Sequence, residues 1–245
     1  MPRLDRLSTL IARFSLTVTP AREAVANLGI CRAGKDGAMR VSLTPHESGR
    51  LGLGCDAITA RLDWGGASNP LLAALPERVE MTVETGSETA SLLRVFAAEA
   101  SEMRCGAGPV LDRLGEVIVI RLLRAEIARG AASPGLLAGL ADPRLGRAIV
   151  AMHDAPERAW TVPDLAAEAA LSPSRFAELF AGTVGRTPLA YLREWRMTLA
   201  RQDLVRGDRV QAVAHRYGYA SAEALTRAFR KIHGECPMRI RRSAA

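Results

Sequence analysis

The chain has 245 residues, 48% of them apolar, which is enough to bury a core in each of two domains and argues against disorder. No cationic start leads into an apolar run, the apolar stretch 117–127 is interrupted by Arg121, Arg124 and Glu126, and Cys31, Cys55, Cys105 and Cys236 form no CxxC pair. These features speak against export, a membrane span and a zinc site, so a cytoplasmic protein is expected. Residues 171–245 hold 14 Lys+Arg against 6 Asp+Glu, whereas residues 1–170 hold 19 against 20, so the surplus of positive charge that suits a polyanion is confined to the C-terminal end.

In chain order, residues 4–14 predict a short amphipathic helix, and 18–33 read as irregular or weakly helical. The period then changes to two. Met39, Val41 and Leu43 alternate with polar neighbours, as do Ile58, Ala60 and Leu62, and then Val79, Met81 and Val83, which predicts three half-buried strands of a small sheet. A helical period follows, with Leu92, Leu93, Phe96 and Ala100 on one face behind Ser87 or Thr89 as N-cap; Gly106 and Gly108 end this helix. Pro109 then opens a longer helix over 110–129 with a broad apolar stripe. The Gly, Ala, Ser and Pro of 130–139 suit a linker, and everything after about Asp142 reads as helix. The expected organisation is therefore α+β: residues 1–130 form a small sheet with two antiparallel helices, 131–141 a linker, and 142–245 an all-α domain.

The second half contains an internal repeat. Phe180, Gly185 and Pro188 recur at the same offsets as Phe229, Gly234 and Pro237, 49 residues later, and Leu165-Ala166 corresponds to Val213-Ala214 with one residue of slack at the intervening turn. Each unit reads as a short helix, a tight turn and a second helix ending in glycine, with Ser172-Pro173 and Ser221 suited to start the second helices and Gly218 suited to a turn. Phe176, Leu179 and Phe180 are expected to face inward in the first unit, and Leu225, Phe229 and Ile232 in the second. A long helix over 187–205, with Leu189, Leu192, Trp195, Leu199 and Leu204 available for packing, separates the units; at ~1.5 Å per residue it spans about 25 to 30 Å. That length suits two recognition helices held near the ~34 Å spacing of successive major-groove segments.

The string Leu171-Ser172, Phe180, Gly185, Thr187-Pro188, Tyr191-Leu192, Trp195-Arg196, Ala200, Ala212-Val213-Ala214, Gly218-Tyr219, Ser221, Leu225, Arg227, Phe229, Gly234 and Pro237 strongly resembles the AraC/XylS family of bacterial transcription regulators. The resemblance covers roughly residues 142–242. It implies seven helices, two of them entering adjacent major grooves of double-stranded DNA, with base contacts at Ser174, Arg175, Glu178, Glu223, Thr226 and Arg227; Arg230 lies on the same outward face. Glu178 departs from the basic or neutral residue often found at its position, and a carboxylate there repels phosphate unless it accepts from a cytosine amino group. Arg227 can pair bidentately with guanine or clamp a phosphate. Arg193 and Arg196 either touch phosphate or form surface ion pairs.

The N-terminal half resembles the cupin-type sensing domain of one AraC subgroup, through Leu62-Asp63-Trp64-Gly65-Gly66, Asn69-Pro70-Leu71 and Leu75-Pro76 followed by the helix pair. Only about 85 residues precede that pair, so a reduced sheet is expected rather than a closed barrel. The resemblance implies dimerisation through the two helices, giving a homodimer, and modulation by a small-molecule effector. His46 beside Glu47 is the only histidine before residue 150, so neither a metal centre nor any other cofactor is expected. His153, His215 and His233 are expected on helix surfaces or at caps, and Cys55 with Cys105 as buried apolar cysteines rather than a redox pair. The alternative to a regulator is a cupin-like small-molecule-binding protein or enzyme fused to a helical domain.

Overall fold

A computed structural model describes residues 5, 7–33, 37–45, 51–52, 57–65, 69–130 and 134–243. His46, Glu47, Cys55, Gly66 and the start of the expected linker lie outside the described residues. The chain divides into two units, 10–137 and 138–245, the second joined by residues 1–9.

A helix, α1 (Ser8–Ala12), precedes the five antiparallel strands of the first unit: β1 (Thr17–Pro20), β2 (Leu28–Ala33), β3 (Ala38–Leu43), β4 (Ile58–Asp63) and β5 (Val79–Val83), in the order β1-β4-β2-β3-β5. The three alternating segments are strands as expected. The stretch 18–33 is not irregular or helical: it supplies β1 and β2. The reason is positional, because β2 lies at the centre of the sheet between β3 and β4, where Leu28, Gly29 and Ile30 are buried in succession and leave no alternation to detect. β1 is a four-residue edge strand ending in Pro20, a residue that edge strands tolerate.

A short helix, α2 (Pro70–Ala73), follows β4, and the motif residues around it are structural. Trp64 is buried and its indole N–H donates to the Phe14 carbonyl at 2.9 Å. Asn69 donates to the Trp64 carbonyl at 2.9 Å and accepts from Leu71 N–H at 2.9 Å, so it caps α2 and ties the helix to the sheet. Buried Asn27 extends the ladder with its side chain, donating to Leu62 O at 2.8 Å and accepting from Leu62 N–H at 2.7 Å.

The helix pair is α3 (Glu88–Glu102), capped by Ser87 Oγ, and α4 (Ala107–Arg129). α3 stops at Met103, which is left-handed with φ 47°, and α4 begins a turn earlier than expected, behind Gly106 at φ 85°. Leu93 and Phe96 of α3 and Leu111, Ile118, Val119, Leu122 and Leu123 of α4 are buried. α4 approaches β1 so closely that a Cβ on Gly115 would meet Val18 Cγ2 at 2.5 Å, and Asp112 accepts from Val18 N–H at 2.6 Å.

Part of the expected linker, 131–141, is helical. Residues 136–141 form a helix, α5 (Leu136–Ala141), with Leu136, Leu137 and Leu140 buried. A Cβ on Gly139 would meet Ile149 at 2.7 Å and Val184 at 2.8 Å; this glycine, which reads as a flexible joint, permits close packing.

The second unit continues with α6 (Pro143–Asp154), α7 (Val162–Glu168), α8 (Pro173–Val184), α9 (Pro188–Val205), α10 (Val210–Arg216), α11 (Ala222–His233) and α12 (Pro237–Ser243). Asp142 caps α6 by accepting from Arg144 and Leu145 N–H. Thr161 and Asp164 form a reciprocal capping box on α7, and Ser172, Thr187 and Ser221 cap α8, α9 and α11.

Candidate nucleic-acid interface

The two repeats share their backbone geometry. In the first, α7 and α8 flank a turn in which Leu171 N–H donates to Ala166 O at 2.9 Å; in the second, α10 and α11 flank a turn in which Tyr219 N–H donates to Ala214 O at 2.8 Å. The residue before each donor is left-handed, Ala170 at φ 53° and Gly218 at φ 74°. Up to this point the units are offset by 48 residues, and from Ser172 and Ser221 onward by 49, so Ala220 is the extra residue. Both units are helix-turn-helix structures.

α9 lies between them and packs on α7, α8, α10, α11 and α12. Leu192, Trp195, Leu199 and Leu204 are buried, together with Tyr191, Met197, Ala200 and Asp203, so the spacer helix is a shared core element. Leu189, expected to pack, is 40% exposed near the N-terminus of α9.

Phe176 and Phe180 anchor α8, and Leu225 and Phe229 anchor α11, all fully buried. Leu179 is half-buried, and Ile232, expected inward, is 36% exposed. Most of the expected contact residues are exposed on the second helices, among them Ser174, Arg175 and Glu178 on α8 and Glu223 on α11. Arg227 and Arg230 are likewise exposed on α11. Thr226 is half-buried and its hydroxyl donates to Ala222 O of its own helix at 2.7 Å. Each outer face carries an acid and an arginine: Arg175 pairs with Glu178 at 2.9 Å, and the Glu223 carboxyl is held below its ordinary range chiefly by a hydrogen bond to Ser221, with the Arg227 charge adding. Arg230 lies beside Cys236, whose thiol is lowered mainly by the Met238 N–H and further by this guanidinium.

Arg196 differs from the others. It is half-buried, its Nε donates to Pro156 O at 2.6 Å and one Nη donates to Arg158 O at 2.8 Å, and burial pushes its guanidinium down from its usual value. These two bonds commit the Nε and one Nη of the guanidinium to main-chain carbonyls. Arg186, by contrast, does pair with Glu194.

Several structural polar residues had no readable signal. Buried Asp203 accepts from Arg216 and from Tyr217 Oη, each at 2.6 Å, and Arg216 also reaches Asp208 at 2.6 Å, which fixes the passage from α9 to α10. Arg147 of α6 donates to the carbonyls of Glu168 and Ala169, both at 2.9 Å, closing the C-terminus of α7. His153 is a core residue rather than a surface or capping one: it is 1% exposed, its Nε2 lies 2.6 Å from Tyr191 Oη, and its ring stacks at a tilt on Trp195 with centroids 4.5 Å apart. His233 is half-buried beside Met197 O, and His215 is exposed next to Gln211.

Among the described residues no group of His, Cys, Asp and Glu has a metal-binding arrangement, and no helix is long and apolar enough to cross a membrane. Of the cysteines expected to be buried, Cys105 is exposed.

Fold and site together define a protein with a small antiparallel sheet unit and a helical unit in which paired helix-turn-helix structures share one central helix. Residues 165–243 match a family described as "Helix-turn-helix domain", and residues 11–128 match the Cupin family. A putative AraC-like transcription regulator from Streptomyces lividans is 37% identical over 175 residues, covering 70% of this chain and 58% of that protein. The HTH-type transcriptional regulator AlkR from Acinetobacter baylyi is 34% identical over 181 residues, covering 72% and 59%. Among solved structures, the DNA-binding domain of AdpA in complex with a target DNA is 32% identical, covering 42% of this chain and 92% of that one, with a TM-score of 0.38. Residues 165–243 thus match a helix-turn-helix family and residues 11–128 a cupin family, the chain is similar to AraC-like regulators, and it spans less than two thirds of the length of these two relatives.

Proposed function

We propose that the chain is a sequence-specific regulator of transcription that binds double-stranded DNA through α8 and α11 and acts in the cytoplasm as a homodimer. The observation that carries this reading is the duplicated turn: two helices with fully buried aromatic and aliphatic anchors present exposed arginines from one shared spacer helix. Ser174, Arg175 and Glu178 form one contact set and Glu223, Thr226, Arg227 and Arg230 the other, while Arg196 is set apart because its Nε and one Nη are engaged by main-chain carbonyls. On a groove, the Arg175–Glu178 pair opens or is shared, with Glu178 accepting from a cytosine amino group and Arg175 turning to guanine or phosphate. This is a binding role, in keeping with relatives named as regulators, and it assigns no catalysis to the cupin unit.

The exposed apolar side chains Val95 and Met103 at α3, and Val110 and Val117 of α4, support dimerisation through this helix pair. A cleft of about 490 Å³ between the sheet and α3, lined by Ile30, Met39, Ile58 and Ala90 with Arg32 and Arg94, supports a small-molecule effector. The test is binding of the full chain to a random duplex pool over a salt series. The expected result is enrichment of defined sites, with affinity falling steeply as salt rises. No enrichment at low ionic strength would refute the reading.

A further inference from the structure

The loop 155–160, which leads into α7, is folded on itself. Trp160 Nε1 donates to Ala155 O at 2.9 Å, Trp160 N–H donates to Arg158 O at 2.8 Å, and the Arg158 guanidinium lies 3.9 Å from the centre of the Trp160 ring. Arg196 reaches this loop from the middle of α9 through two different carbonyls, of Pro156 and Arg158. On the other side, the turn of the second helix-turn-helix closes on the same place. A Cβ on Gly218 would stand 3.1 Å from Glu157 O and 3.7 Å from the Arg196 guanidinium, and half-buried Tyr219 interacts electrostatically with Arg196.

Three parts of the helical unit therefore meet at one guanidinium: the lead into the first repeat, the spacer helix and the turn of the second repeat. The equivalent position in the first repeat shows what this junction demands. Ala170 is left-handed too, yet it is exposed and carries a Cβ, whereas the second repeat has glycine where a Cβ would press on Glu157 O.

We propose that Arg196 is a positioning residue that sets the register between the two recognition helices, and with it the separation of the two DNA segments that the protein accepts. The inference rests on the DNA-binding reading. A planar fork can hold two carbonyls at once in a fixed geometry, which an ammonium on a flexible stem cannot reproduce. One added base pair turns the second segment by about 35° relative to the first, so a rigid protein must discriminate against it and a loosened one must not.

The experiment compares full-length wild type, Arg196→Lys and Arg196→Gln on duplexes carrying both selected segments at the selected spacing or at one base pair more or less. Each segment alone serves as control, and circular dichroism monitors folding. Wild type is expected to prefer the selected spacing by about tenfold or more. Both variants are expected to lose most of that preference while binding each single segment within about threefold of wild type. Lysine separates the roles: a phosphate contact would be rescued by it and register would not. Retained spacing preference in both variants, rescue by lysine, or equal loss on single segments would overturn the inference. If Arg196→Gln does not fold, Arg196→Lys alone decides by the same criteria. Wild type that selects no DNA would overturn the DNA-binding reading itself, a result distinct from wild type that binds and variants that still discriminate.

Discussion

His153 gives the helical unit a specific sensitivity to mild acid. Its imidazole is buried against Trp195 and Tyr191, and desolvation lowers its pKa from 6.5 to about 3. The unfolded chain therefore binds a proton at this residue between pH 6.5 and pH 3 that the folded chain refuses. Stability is fully present above pH 6.5 and falls as pH drops through that window, by about 1.4 kcal/mol per pH unit once well below 6.5. Between pH 7.5 and pH 5 the loss from this one group is about 2 kcal/mol.

The window can be isolated. The carboxyls of Glu80, Asp142, Asp164 and Glu223 are held below their ordinary range chiefly by hydrogen bonds, so their contribution is lost at lower pH, as they become protonated. His233 is lowered mainly by burial and acts with the same sign as His153. Comparison with His153→Gln removes that background. Urea unfolding followed by tryptophan emission is the assay, since Trp195 lies against the imidazole and Trp160 is in the same unit. The variant is expected to be less stable at pH 7.5, because a buried hydrogen bond is altered, yet to lose about 2 kcal/mol less than wild type on going to pH 5. An undiminished acid loss in the variant, or a proton NMR titration of the His153 ring with a midpoint near 6, would refute the reasoning.

The paired turns predict opposite responses to a one-carbon change. Gly218→Ala is expected to destabilise by about 1 to 3 kcal/mol, from left-handed strain and the contact with Glu157 O, while Ala170→Gly is expected to be neutral or to stabilise by up to about 1 kcal/mol; thermal unfolding measures both. Asp203→Ala leaves Tyr217 Oη buried and takes one carboxylate from Arg216, which retains Asp208; chemical denaturation is expected to show a loss of about 2 to 3 kcal/mol. Gly115→Ala forces α4 off β1 against Val18, and the sheet unit is expected to lose about 1 to 3 kcal/mol, read from its own unfolding transition. Val117→Glu is expected to shift the full chain towards monomer in sedimentation velocity without altering its secondary structure.

What the sequence revealed follows from where its signals are local. The caps Ser87, Ser172 and Ser221 act within one turn of their own helix and were readable, as were the buried anchors Phe176, Phe180, Leu225 and Phe229 with their 49-residue recurrence. β2 was not readable, because a central strand buried on both faces has no alternation, and the packing of Gly139 was not, because a small residue signals a joint and a tight contact in the same way. The faces of α8 and α11 were largely legible from helical spacing, although Ile232 turns outward. The surroundings of Arg196 and His153 were not legible for a different reason. Their partners are the carbonyls of 156 and 158 and the hydroxyl of Tyr191, some forty residues away in the chain, and no periodicity encodes such pairings.

Two turn-linked helix pairs reading separate stretches of one duplex is the central claim. It is tested most directly by selecting bound sites from random DNA with wild type, Arg175→Ala and Arg227→Ala in parallel. Wild type is expected to yield sites with two conserved blocks about one helical turn apart, and each variant to lose base preference in one block only, a different block for each, at a cost of about 1 to 3 kcal/mol in affinity. A single conserved block in the wild-type sites, or both substitutions weakening the same block, would contradict the account.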